Sequence, residues 1–396
     1  MTKKKVLVLG ASIYQLDTII KAKNLGYEVI TTDNIPDNPG HKLADKSYNI
    51  STTDREGVFG IALREKIDGI ISPCTDVAVP SLAYVAADLG LPGPPVKSAE
   101  IVTHKIEFRD FLVANKLPVP EFYEYKVGFE VNELFRDGFK WVIKPDYSSG
   151  SKGVFVLSSE EEFSKYLSQS LSFSLSGKCI IERYIEGFQG TCDGFLKNGE
   201  LKIALITERQ MAPYPYTATW GHLVPADLST DLKDKLLLTL KEVWNILGVL
   251  DGPFDADFVV SNDTIYLLEL SPRIGGNSIP KLIKESIGFD IIECSLRYVV
   301  EDDSNFKYNE KVRPTAVILL GIMEHGHLFY NKKGFESLFG EDWVVSLSMD
   351  LDLKDEVRPF INGRNRVGEA IITGRDREDL LKKRAVLERR LELSNY

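Results

Sequence analysis

The sequence predicts an α/β fold at the N-terminus that passes into an α+β region. Three observations carry this. The apolar run Lys5–Leu9 is followed by the small-residue turn Gly10-Ala11-Ser12, a helical stripe and a second apolar run. That is a βαβ unit, and its strands are parallel. Further along, strand-like runs meet at tight turns, the strongest being Asn198-Gly199, which favours the hairpin geometry of type I′. Finally, amphipathic helical segments separate these runs without any fixed period, so no repeat architecture is indicated.

Taken in order, the first helix is marked by Ile13, Leu16, Ile19, Ile20, Ala22 and Leu25 and is stopped by Gly26. A strand over 27–32 follows, closed by Asp33. A strand over 45–50, a helix over 55–66, a strand over 69–72 and a helix over Val79–Leu89 continue the alternation. The turn-rich stretch 90–96 suggests a boundary near residue 100. A helix over 106–115 ends before Pro118 and Pro120. A strand over 141–144 enters the polar loop 145–153, and a strand over 154–158 leaves it. A helix over 160–169 and a strand over 179–184 come next. The hairpin spans 194–197 and 201–207. Leu236, Leu240, Val243, Trp244 and Leu247 line one face of a helix over 231–247, ended by Gly248. Strands over 255–260 and 264–270 are joined by Ser261-Asn262-Asp263. The last region holds strands at Thr315–Leu320, 344–351 and Gly368–Thr373 and a charged helix over 378–393.

Length and composition limit the function classes. The 396 residues suggest two or three domains. With 48 Lys and Arg against 58 Asp and Glu, the net charge is −10, which disfavours a nucleic-acid partner. Cys74, Cys179, Cys192 and Cys294 form no CxxC pair, so neither a disulfide scaffold nor a zinc ribbon is expected, and a reducing cytoplasm fits. The apolar stretch at 6–9 is too short for a secretory signal, and the run around 316–323 is too short to span a bilayer. No membrane partner is expected.

Four features could carry chemistry. The loop Ser148-Ser149-Gly150-Ser151-Lys152-Gly153 can turn backbone N–H groups and hydroxyls toward an anion. A flexible hairpin would read the same, and the GxxxxGK[ST] spacing is absent. Lys144 ends the apolar strand WVIK and needs a counter-charge, either phosphate or a structural carboxylate. Lys105 stands similarly, at a helix start. Asp257 and Glu269 lie on successive strands, and Glu269 sits in an apolar stretch where an unpaired carboxylate is costly. A Mg²⁺ ion bridging phosphates would satisfy both, and Arg273 could clamp a phosphoryl group; a buried Glu–Arg pair is the alternative. The segment IIERYIEG, with Glu182 and Glu186, offers either an adenine edge site or a half-exposed edge strand.

Together these stretches resemble the ATP-grasp enzymes: Lys105, WVIKP with Lys144, SSGSKGV, IIERYIEG, and FDADF followed by ELSPRIGGN, in the family's order. The opening segment, the LGLPGPPVKSAEIVTHKIEFRDFL stretch and the closing NGRNRVGEAIITGRDREDLL are similar to biotin carboxylase-type and purine-pathway carboxylate ligases. The resemblance covers nearly the whole chain. It implies a Rossmann-like domain over 1–103, an ATP-grasp domain over 104–310 with a mobile lid at about 118–190, and a C-terminal α+β domain over 311–396 that closes the unit. It further implies ATP and Mg²⁺ as cofactors, with Mn²⁺ as an alternative ion. Lys105 and Lys144 would contact the phosphates, and Ser149, Gly150, Ser151 and Gly153 would fold over them. Glu182 would receive the adenine amino group, backbone at Tyr184 and Ile185 would hold the ring edge, and Glu186 or Gln189 would reach the ribose. Asp257, Glu269 and Ser271 would hold the metal, and Arg273 would face the γ-phosphate.

Two departures narrow the resemblance. Many members carry Asn where Ser271 stands, which bears on a second metal ion. Asn277 occupies the position of the glutamate used in bicarbonate chemistry, which argues against a carboxylase. The implied reaction joins a small-molecule carboxylate to an amine through an acyl phosphate. Arg209 would pair with a substrate carboxylate, and His222 would orient a substrate or take the amine's proton. The pattern looks nearest to the L-amino acid ligases, so an amino acid is the expected substrate. A hydroxyl-directed phosphotransferase and a purine-pathway-like ligase are the alternatives. A dinucleotide oxidoreductase is disfavoured, since Gly10 to Gln15 lack GxGxxG. A homodimer is expected by analogy with related enzymes.

Overall fold

The computed structural model describes residues 3–301 and 306–396. The first part is β1 (Lys5–Leu9), α1 (Leu16–Asn24), β2 (Glu28–Thr32), α2 (Pro39–Leu43), β3 (Lys46–Tyr48), α3 (Arg55–Glu65), β4 (Gly69–Ile71), α4 (Val79–Leu89) and α5 (Val96–Thr103). Its four strands form a parallel sheet in the order β3-β2-β1-β4. The turn after β1 is set by Gly10, at φ +100°, and by a reciprocal cap in which Ser12 and Gln15 satisfy each other's ends. The helix α5 occupies the stretch where a boundary was expected and packs on α4.

The second part opens with α6 (Lys105–Ala114) and continues through β5 (Phe122–Glu124), β6 (Trp141–Pro145), β7 (Phe155–Leu157), α7 (Glu160–Ser172) and β8 (Cys179–Arg183). These strands make a small antiparallel sheet, β5-β8-β6-β7, whose apolar face packs on α7 through Phe155, Phe163, Tyr166 and Ile181.

Next come β9 (Phe188–Lys197), β10 (Glu200–Met211), β11 (Thr219–Val224), α8 (Thr230–Ile246), β12 (Gly252–Ser261), β13 (Thr264–Ser271), α9 (Ile279–Ile287) and α10 (Ile291–Glu301). The chain ends with β14 (Thr315–Leu320), β15 (Gly326–Phe329), α11 (Lys332–Leu338), β16 (Val344–Met349), β17 (Glu356–Val357), β18 (Gly368–Thr373), α12 (Arg377–Leu391) and β19 (Ser394–Asn395). An eight-stranded antiparallel sheet, β13-β12-β9-β10-β11-β14-β18-β16, runs through both segments. The predicted fold class, a parallel α/β layer followed by antiparallel α+β, is therefore observed.

Two turns behave as their sequences require. Asn198 and Gly199 both have positive φ, as do Asn262 and Asp263, which closes two tight hairpins. The predicted 194–197 strand is longer, since β9 starts at Phe188. Its glycines disguise it: a Cβ on Gly194 would lie 1.9 Å from the Ile203 carbonyl oxygen, and one on Gly190 would lie 2.8 Å from that of Thr207.

Side chains alternate across the large sheet. From β9 and β12, Cys192, Leu196, Phe254, Ala256 and Phe258 face α8, where they meet Leu236, Leu240, Val243 and Trp244. The intervening Thr191, Asp193, Asp255 and Asp257 therefore face the opposite side, toward the N-terminal layer and α9. That polar row is where the site lies.

Candidate functional site

Two cavities meet on this polar face. One, about 340 Å³, lies between the small sheet and the β10–β12–β13 end of the large sheet. The other, about 560 Å³, opens at the C-terminal ends of the parallel strands, beside Gly10, Asp33 and Cys74, and reaches the loop holding Arg364 and Arg366. Ligands commonly bind at such strand ends. Ser149, Gly150, Ser151, Lys152, Arg209, Asp257 and Glu269 belong to both walls.

The structure brings the expected cationic residues together in the first cavity. Lys105, at the start of α6, lies 3.2 Å from Glu269. Lys144, on β6, contacts Glu182 of β8, its diagonal neighbour across the ladder, since Lys144 pairs with Ile180 and Val142 with Glu182. The second oxygen of Glu182 lies 2.7 Å from Arg109 Nε. Burial pushes the Glu182 carboxyl up, but Arg109 and Lys144 outweigh it and hold the group at about 2. Burial also lowers Lys144, with Arg109 adding to the effect and Glu182 resisting. For Lys105 the balance is reversed: burial lowers it, but Glu269 and Asp76 raise it further.

The adenine-edge expectations are modified. Glu182, 2% exposed, is already shared by two cations. The Tyr184 amide donates to the Lys140 carbonyl at 2.9 Å, so it is not the donor for a ring edge. Tyr184, Ile185, Glu186 and Gln189 all line the cavity, and Glu186 also pairs with Lys140 at 3.1 Å. In the glycine-rich loop, Ser149, Gly150 and Ser151 line both cavities, but Gly153 lines neither. Glycine is needed at 153 for φ +73° and for the packing of Pro145 and Phe173, at 3.0 and 3.1 Å from a would-be Cβ.

Asp257 and Glu269 are cross-strand partners. A β-bulge follows, because Phe258 pairs with Leu267 and Leu268 has no opposite residue. Burial raises the Asp257 carboxyl to about 7; Asp255 and Glu269 add to this, while Arg209, at 2.6 Å, pulls against it. Asp257 and Glu269 each have their own cation, Arg209 and Lys105, and their two facing carboxylates offer the oxygen ligands that a divalent ion takes. Among the described residues no cluster of three or more His, Cys, Asp or Glu side chains converges to hold a metal alone. Ser271 lies opposite Asp255, is 3% exposed and lines neither cavity.

Arg273 is held on two sides, by Asp76 with Nε at 2.8 Å and by Asp255 at 2.5 Å. Burial opposes its charge, but these carboxylates raise it well above its ordinary value. Arg273 depresses Asp76 against burial, whereas burial prevails at Asp255 and raises it. Arg209 also bonds Thr219 Oγ1, from Nη2 at 2.8 Å. His222 is 2% exposed; Nδ1 meets Thr207 Oγ1 at 2.9 Å, and Thr207 meets Thr191, which reaches Asp193, each at 2.9 Å. Burial and Arg209 depress the imidazole to about 3, so His222 is neutral. Burial and Asp255 raise Asp193 well above the carboxylate range.

Sequence reasoning missed Arg109, Asp76 and Asp255. Two had a usable signal: Arg109 follows Lys105 by one helical turn, and Asp255 precedes Asp257 on the same strand face. Asp76 had none.

Residues 138–281 match the ATP-grasp domain. The formate-dependent phosphoribosylglycinamide formyltransferase of Methanocaldococcus jannaschii is 27% identical over 286 residues, 68% of this chain and 69% of that protein. Among solved structures, the L-amino acid ligase of Bacillus licheniformis superposes with a TM-score of 0.82 at 17% identity, and the phosphoribosylglycinamide synthetase of Anaerococcus prevotii with 0.77 at 19%; each match covers 100% of both chains. Among the described residues no helix is long and apolar enough to cross a membrane.

Proposed function

Because the chain belongs to the ATP-grasp ligases, we propose that it activates a small-molecule carboxylate with ATP and joins it to an amine, with an amino acid as one of the two substrates. The observation that carries this is the shared wall: seven residues border both cavities, so a nucleotide in one would present its γ-phosphate to a substrate in the other. A carboxylate oxygen attacks the γ-phosphorus, the bond to the β-phosphate oxygen breaks, and ADP leaves. The amine nitrogen then attacks the acyl carbon, the carbon–oxygen bond to phosphate breaks, phosphate leaves, and the nitrogen gives up a proton.

In this reading Lys105 and Lys144 bind the phosphates, and Arg273, oriented by Asp76 and Asp255, faces the γ-phosphate from the larger cavity. Asp257 and Glu269 would hold Mg²⁺, which when bound neutralises phosphate charge. Ser149 to Lys152 close over the junction and exclude water, which protects the acyl phosphate. Arg209 and His222 orient the second substrate from the sheet. Lys152 and Arg364 line the larger cavity, and burial and Arg364 lower the Lys152 ammonium, so an anionic end of the substrate has two cations to meet.

A purine-pathway-like ligase acting on a phosphoribosyl amine is the second reading. The sequence relatives favour it, and the same two cations suit a phosphate. A matrix of carboxylates against amines, read by phosphate release and product mass, tests both. An amide formed from an amino acid supports the first. ADP formation that never requires both a carboxylate and an amine, or a phosphoester product, refutes both.

A further inference from the structure

Arg109 is fully buried, yet it is charged and has no place in the reaction as derived so far. It lies one turn after Lys105 on α6, so the two side chains leave the same helix face. Its guanidinium reaches three things. Nε lies 2.7 Å from Glu182, whose other oxygen holds Lys144. Nη2 donates to the Leu268 carbonyl at 2.9 Å and Nη1 to the Leu267 carbonyl at 3.4 Å. Leu268 is the bulged residue of β13, and the next residue is Glu269. A bulge leaves its extra residue outside the ladder and re-aims the neighbouring side chain. Here the carbonyl released by the bulge is taken up by Arg109.

We propose that Arg109 is a positioning residue that ties the phosphate cradle to the metal seat. One edge of its planar fork fixes Lys144 through Glu182, and the other fixes the bulge that aims Glu269 at Asp257. The inference rests on the reading of Lys144 and Glu269 as nucleotide and cation groups. Charge supports it. Lys105, Arg109 and Lys144 stand against Glu182 and Glu269 alone among the direct pairs, so one positive charge in this cluster is left for phosphate. Lysine cannot replace the fork, because an ammonium is a point charge and cannot serve two planar partners in fixed geometry.

The test is calorimetric titration of ADP into the full chain, with and without Mg²⁺, for wild type, R109K, R109M, E182Q, E269Q and R109K/E182Q, each checked for fold by circular dichroism. Wild type should bind ADP more tightly with Mg²⁺, and E269Q should lose that enhancement. R109K should keep the fold, bind ADP at least tenfold more weakly, and lose most of the Mg²⁺ enhancement. In R109K/E182Q the metal-free loss should be no deeper than in E182Q alone, while the Mg²⁺ loss persists. A merely structural arginine, measured well below the unfolding temperature, would leave the Mg²⁺ enhancement unmoved. If R109M does not fold, R109K decides. A folded R109K with wild-type ADP affinity and Mg²⁺ enhancement overturns the proposal. Unaltered binding in E269Q instead overturns the parent reading, and the proposal with it.

Discussion

Replacing Glu182 with Gln isolates one carboxylate between two buried cations. Glu182 lies 2.7 Å from Arg109 and in contact with Lys144, and its folded-state value is about 2 against an ordinary 4.5. That difference corresponds to about 3 kcal/mol of stability. The group is depressed on folding, so its contribution is complete above pH 4.5 and is lost as pH falls toward 2. Above that window Gln leaves Arg109 and Lys144 without their anion, which costs on the order of 3–5 kcal/mol in buried pairs. For a cooperative unit of roughly 200 residues, 3 kcal/mol lowers the unfolding midpoint by about 6–12 °C. Thermal unfolding of wild type and E182Q, followed by circular dichroism from pH 7 to pH 2, reads this directly. Carboxylates common to both proteins cancel in the difference. The gap should be widest at pH 7 and should shrink to a small remainder near pH 2, where the Glu182 carboxylate is half protonated. A gap below about 1 kcal/mol at pH 7, or one that is undiminished at pH 2, would refute the electrostatic account.

Three further outcomes are expected. Glu269→Ala should abolish phosphate release while the far-ultraviolet spectrum is retained; full activity would remove Glu269 from the metal seat. His222 is held near 3 against an ordinary 6.5, so the folded state binds fewer protons between these values, and stability falls as pH drops through 6.5. In His222→Gln that part of the acid-side slope should vanish in the same unfolding series, and an unchanged slope contradicts the neutral imidazole. Gly194→Ala would place a methyl 1.9 Å from the Ile203 carbonyl oxygen and 2.9 Å from Phe254, so the midpoint should fall by the equivalent of about 1–3 kcal/mol; an unshifted midpoint would mean that β9 and β10 can part without cost.

Elements with a strong local period were legible. The helix over Val79–Leu89 and the strands Thr315–Leu320 and Gly368–Thr373 have the expected bounds, because a continuous apolar run bounded by polar or turn residues marks a largely buried segment. The start of β9 was hidden by Gly190 and Gly194, since glycine is a poor strand former in isolation. They are there because neighbouring backbone and rings leave no room for anything larger. β11 was masked by the polar letters of TWGHLV, whose residues serve as its register partners for β10 and β14.

The site divides in the same way. Lys144, the loop 148–153, Asp257, Glu269 and Arg273 stood out because charge or glycine beside apolar strands demands an explanation that is local to the sequence. Their partners did not. Arg273 is neutralised by Asp76, 197 residues away, and Lys105 by Glu269, 164 residues away. Glu182 looked free for a ligand until packing brought Arg109 and Lys144 onto it. The sequence by itself determined which groups are present and on which strand face each one lies, because periodicity is a short-range property. Only the tertiary structure decided which charges neutralise one another and which remain for a ligand, since Coulomb energy depends on distance through space and on burial, and neither is written in the spacing of residues along the chain.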